Sequence, residues 1–182
     1  MMETMFLKGL EVNMIKIKFK TRLKVMLFLI MLLGLTNMII QAEELNYSQL
    51  FPRNQVIDVK LEIDEKLLED IYQNPMAEEY YPASVDYNGH CLNVVGIRTK
   101  GNSSLMSAAN MDSERYSFKL NFDKYIKGQN LFGLTTVNLN NNFSDPSYLR
   151  EYLSYQLMED MGMPIPEFSF VNLYINDEMK GF

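Results

Sequence analysis

GIRTKGNSS (residues 96–104), YSFKLNF (116–122) and DPSYLREYLSYQLMED (145–160) follow one another in the second half of this chain. In the first segment Gly101 permits close backbone approach, while Asn102, Ser103 and Ser104 supply further donors beside Arg98 and Lys100, so the loop can converge on one anion. It lacks the spacing of the common phosphate-binding glycine loops, and taken alone it reads first as a plain polar turn. The second segment reads as a strand with Tyr116, Phe118, Leu120 and Phe122 on one face and Ser117, Lys119 and Asn121 on the other. Lys119 is therefore either a solvated residue on an open face or a charge aimed into a cleft, and spacing leaves both open. The third segment predicts a helix over about 146–161, with Asp145 as N-cap, Pro146 at the first position and Gly162 closing it. Leu149, Leu153, Leu157 and Met161 recur every fourth residue and are expected to face the core. Glu151 lies off that stripe beside Tyr155 and Met158, where a half-shielded carboxylate suits an ion pair with a lysine; a solvent-facing helix charge is the alternative.

Working outward, 182 residues with 47% hydrophobic and 22% charged suit one folded domain of ordinary size. A net charge of −6 and a pI near 4.9 argue against a nucleic-acid partner, which needs a basic face. The single Cys91 allows no internal disulfide and reads as a small apolar residue in a hairpin. No zinc or calcium spacing appears in the sequence, so no metal site is expected.

Residues 1–42 stand apart. Lys16, Lys18, Lys20, Arg22 and Lys24 precede the uncharged run VMLFLIMLLGLTNMIIQA (25–42), the charged and apolar regions of a signal peptide or an N-terminal membrane anchor. Export to the medium, cell surface or spore coat is the expectation, with membrane contact only through this segment. Residues 43–55 read as a linker, and 56–182 as the folded domain. Within it Ile57, Val59, Leu61 and Ile63 alternate with polar residues as a half-buried strand. Asp64 caps a short helix carrying Leu67, Leu68 and Ile71, which Asn74-Pro75 ends. Ala83–Tyr87 and Leu92–Thr99 flank Asn88-Gly89 as a hairpin. His90, at its tip, reads as a solvated loop residue. Phe168–Ile175, a turn at Asn176-Asp177 and a last strand from Met179 complete the pattern.

From about Val56 to Phe182 the chain resembles the CotH kinase family, named for the spore coat protein H, through RTKGNSS, YSFKLNFDKY, LNLNNNFSDPSYLREYLSYQLMEDMG and PEFSFVNLYINDEMKGF. The resemblance implies an α+β fold: a divergent protein-kinase-like N-lobe, mostly antiparallel, with one main helix. It also implies an exported atypical kinase that uses ATP and Mg²⁺ to phosphorylate serines of coat or surface proteins. On this reading Lys119 holds the α and β phosphates and Glu151 holds Lys119, with Lys100 an equal candidate for that pairing. Gly101, Asn102, Ser103 and Ser104 cover the phosphates, and Arg98 or Lys100 adds charge near the γ phosphate. The metal-binding and substrate-orienting carboxylates of a kinase lie in a C-lobe, for which this chain offers no counterpart, so the polypeptide alone is expected to be catalytically inert and prone to aggregate through an uncovered edge. The alternative is a noncatalytic exported binding module for surface or coat assembly.

Overall fold

The structure is a computed structural model that describes residues 24, 26–28, 46–111 and 113–181. The chain separates into two units, Met1–Glu44 and Leu45–Phe182. Of the first, Lys24 and residues 26–28 are helical, and the rest of the segment read as a signal or anchor lies outside the described residues. No helix among the described residues is long and apolar enough to cross a membrane.

The second unit is α+β and is built on a curled seven-stranded sheet. Its strands are β1 (Ile57–Glu62), β2 (Tyr81–Tyr87), β3 (His90–Lys100), β4 (Ser117–Asn121), β5 (Thr136–Leu139), β6 (Val171–Ile175) and β7 (Glu178–Gly181), in the order β5-β4-β3-β2-β1-β6-β7. Every neighbouring pair is antiparallel except β1 with β6. The helices are α1 (Glu65–Gln73), α2 (Ser103–Asn110) and α3 (Arg150–Asp160), with 3-10 turns at Tyr47–Leu50 and Pro75–Ala77. The element order thus contains two pieces the sequence reading lacked, β5 and α2.

Alternation places the core. Ile57, Val59 and Leu61 of β1, Val85 and Tyr87 of β2, Val95 and Ile97 of β3, and Phe118 and Leu120 of β4 are all buried, as the period-two pattern requires. Asn88 and Gly89 both have positive φ, at 51° and 89°, the backbone that a two-residue hairpin needs to follow strand twist. A β-bulge then lengthens β3: Val85 pairs with Leu92 but Ala83 with Val95. The extra residue keeps Val95, Ile97 and Thr99 on the inner face instead of letting the register flip. Asp64 caps α1, its carboxylate accepting from the Lys66 and Leu67 amides at 2.9 and 3.4 Å.

Of the segment read as a linker, residues 46–53 lie on the body. Leu50 is buried in the core, Phe51 meets the Tyr87 ring edge-on at 6.3 Å, and Arg53 pairs with Glu159 of α3 while covering the Phe168 ring.

Two expectations for the third segment are corrected. The helix starts at Arg150, not Pro146. Ser144 and Tyr148 sit at φ 57° and 58°, outside helical space, and the Asp145 carboxylate caps the Arg150 amide, five residues on, at 2.8 Å. The leucine stripe is also not core: Leu149, Leu153, Leu157 and Met161 are 43%, 56%, 61% and 67% exposed. The side of α3 that packs is aromatic, with Tyr152 stacked on Phe170 at 5.1 Å and Tyr155 against Phe168 at 5.2 Å. Periodicity shows that four residues share a face but not that a neighbour covers it.

Candidate functional site

The predicted residues converge on the polar face of β3, β4 and β5 and on the α2 and α3 ends beside it. Arg98 stands opposite Lys119, Lys119 opposite Asn138, and Lys100 opposite Ser117, and residues opposite one another in a ladder project to the same face. Three cations therefore share one patch. Arg98 pairs with Glu78 and lies over the Tyr80 ring at 5.4 Å. The Lys119 ammonium has no hydrogen bond or ion pair among the described residues, its backbone being held in the ladder between Arg98 and Asn138. Lys100 is half-buried, and burial lowers its pKa; Lys119 and Arg98 push the same way, with Glu151 and Glu78 opposing.

Lys100 and Glu151 meet through Asn140. The Lys100 ammonium donates to Asn140 Oδ1 at 2.8 Å, and Asn140 Nδ2 donates to both Glu151 carboxylate oxygens at 3.0 Å. The Tyr155 hydroxyl donates to Glu151 Oε1 at 2.9 Å, and the tyrosine's pKa is raised, by burial first and then by that bond. Glu151 is thus held between the Asn140 amide and the Tyr155 hydroxyl, and Lys100 rather than Lys119 is the lysine tied to it.

The loop before α2 is shorter than expected. β3 continues through Lys100, and Ser103 and Ser104 already form the first turn of α2, so only Gly101 and Asn102 turn the chain. Gly101 sits at φ 122°, and a Cβ there would lie 2.9 Å from Ser104 Oγ. The turn needs glycine on both counts, conformation and space.

A pocket of about 240 Å³ has Lys100, Gly101, Ser104, Asn140, Arg150 and Glu151 among its lining residues. Across Asn140 and Glu151 lies a larger cavity of about 430 Å³, lined on its apolar side by Phe51, Tyr87, Val137, Tyr152, Tyr155 and Phe168. Asn102, Ser103, Arg98 and Lys119 do not line the smaller pocket.

The residues that sequence reasoning missed are asparagines. Asn141 Nδ2 donates to the Arg115 carbonyl at 2.7 Å, its amide donates to Ser117 Oγ at 3.1 Å, and its Oδ1 accepts from the Ser117 hydroxyl at 3.0 Å. This stitches the 140–149 loop to β4 and holds Asn140 over the site. Asp145 completes the loop, its carboxylate accepting from Ser147 Oγ at 2.6 Å and from the Arg150 amide; these bonds hold its pKa below the usual carboxylate value. The signal available was the asparagine-rich stretch NLNNN (138–142) between an alternating strand and a helix.

The group that the resemblance implies can be tested against this donor set. A glycine turn at a positive φ that side chains rarely adopt, an ammonium and two nearby cations suit the oxygens of a phosphate. For a divalent ion, no group of three or more His, Cys, Asp or Glu stands together among the described residues, so these residues fit phosphate oxygens and do not by themselves form a metal cage.

The family described as CotH kinase protein matches residues 97–182 of this chain, from the middle of β3 through β7. That span, a little under half of the chain, takes in the cations, the glycine turn, the asparagine loop and α3, and it is the part in which the chain is similar to that family. The resemblance read from Val56 onward thus finds its match from Ile97. No curated protein matches the chain.

Proposed function

We propose that the polar face of β3–β5 is the phosphate-holding half of a kinase-like nucleotide site, within a divergent N-lobe in which α3 carries the glutamate. The observation that carries this reading is the convergence of Lys100, Gly101, Ser104, Asn140 and Glu151 on one pocket, with Arg98 and Lys119 on the same sheet face. Lys100 is the phosphate-facing lysine and Asn140 relays it to Glu151, while Lys119 and Arg98 raise the local positive potential. The adjoining aromatic cavity falls within the size range of small-ligand sites and supports room for a base beside the phosphates. ATP would supply the transferable phosphoryl group when bound; these residues would bind and orient it. Phosphorylation of serines on coat or surface proteins, and export of the chain, form part of the same proposal and rest on the family.

The test is displacement of a fluorescent ATP analogue by ATP on the full chain. Lys100→Met is expected to weaken binding by roughly tenfold or more, and Lys119→Met by less, because a charged hydrogen bond to phosphate is worth about 1.5–3 kcal/mol and a through-space charge less. Equal binding by wild type and Lys100→Met overturns the assignment. Absence of any displacement by ATP favours the noncatalytic binding module.

A further inference from the structure

The exposed face of α3 has a pattern of its own. Leu149, Leu153, Leu157 and Met161 form a continuous apolar stripe on solvent, on the side of the helix roughly opposite Tyr152 and Tyr155 at 100° per residue. Arg150 stands at its N-terminal end and Asp160 at its C-terminal end, both exposed. The order of these residues is self-complementary about position 155. Leu149 mirrors Met161, Leu153 mirrors Leu157, and the cation Arg150 mirrors the anion Asp160.

We propose that this face is a self-association surface, on which a second copy of this chain docks its own α3 antiparallel across a two-fold axis. A two-fold contact must present the same patch on both copies. With the axis beside position 155, Leu153 of one copy comes level with the other copy's Leu157, and Arg150 comes level with the other copy's Asp160. A parallel pairing would instead set arginine beside arginine and aspartate beside aspartate. Charge complementarity therefore selects both the occupant, a second copy, and its direction. One helix face is small beside a standard interface, so the association is weak and concentration-dependent. The leucine stripe does not draw on the nucleotide reading; Arg150, which donates to the Ser144 carbonyl at 3.1 Å and also lines the phosphate pocket, is the one residue the two share.

The experiment uses the full chain carrying Cys91→Ser, so that introduced cysteines are the only thiols, in mild detergent to occupy the apolar 25–42 segment. Chains with Leu153→Cys and Leu157→Cys are mixed and oxidised. The mixture is expected to form the disulfide dimer at least about fivefold faster than Leu153→Cys alone; equal rates, or no cross-link in either sample, overturn the proposal and leave the stripe to another occupant. In sedimentation equilibrium, Asp160→Arg is expected to weaken association by roughly tenfold through two like-charge contacts, and the Arg150→Asp/Asp160→Arg exchange to restore it. Failure of the exchange to restore association overturns the proposed direction, and circular dichroism of each variant separates that outcome from misfolding.

Discussion

Lys100 is a charge kept where burial disfavours it. Its lowered pKa means that the folded state holds its proton less tightly than the unfolded chain does. Below that folded pKa the charged side chain costs stability, and the cost is relieved as the pH rises toward the unfolded value. Lys100→Met is therefore expected to leave the melting temperature unchanged or higher while weakening nucleotide binding; a melting temperature several degrees lower would make Lys100 a structural residue. Tyr81 carries the opposite sign. Its hydroxyl donates to the Asp70 carboxylate, which with burial raises its pKa from 10.0 to about 12. Its contribution is fully present below pH 10 and is lost as the pH rises through about 12. Alkaline unfolding followed by circular dichroism should show that loss in wild type and a flatter profile in Tyr81→Phe; identical profiles would mean that the bond contributes nothing. At this scale the grouping of residues was legible in part, Lys100, Gly101, Ser104 and Glu151 all lining the smaller pocket while Arg98, Asn102, Ser103 and Lys119 do not. The choice of lysine was not, because it rests on a rotamer of Asn140 in a loop that sequence spacing does not place.

The turn from β3 into α2 ties local conformation to the site. Gly101→Ala would place a methyl at a φ of 122° and 2.9 Å from Ser104 Oγ, straining the backbone and forcing the Ser104 hydroxyl to another rotamer. A loss of about 1 kcal/mol or more is expected from the backbone alone, with weaker ATP displacement alongside, read by urea unfolding and by the analogue assay. Wild-type stability would show that the turn relaxes freely. α3 teaches the limit of periodicity. Its apolar repeat is strict, yet the packed face is the aromatic one, because Phe168 and Phe170 arrive from a segment well downstream and present rings that Tyr152 and Tyr155 match. Asp145 and Pro146 were read as the first positions of the helix, but the helix begins at Arg150; the Asp145 carboxylate reaches over four residues to accept from the Arg150 amide, a geometry fixed by positive φ at Ser144 and Tyr148 rather than by residue type.

Across the whole second unit, the sheet holds the site by burying one face and leaving the other to charge. Phe122 is fully buried, and its amide bonds Thr135 at 2.8 Å where the chain leaves β4 for β5. Phe122→Ala is expected to cost about 3–5 kcal/mol, measured by denaturant midpoint, and to loosen β5 with Asn138 and Asn140. A cost below about 1 kcal/mol would mean that the core closes over the gap. The strands β1 to β4, the hairpin at Asn88-Gly89, the first helix and its cap, and the cations of the polar face could be read from the amino acids alone, since each depends on neighbours a few residues away and on alternation that any half-buried strand obeys. Folding had to settle that β5 closes the polar face, that residues 46–53 pack on the body, that Asn140 ties Lys100 to Glu151, and that the leucines of α3 face water. Those outcomes depend on which distant segment fills each space, and that is set by long-range packing, which no local pattern encodes.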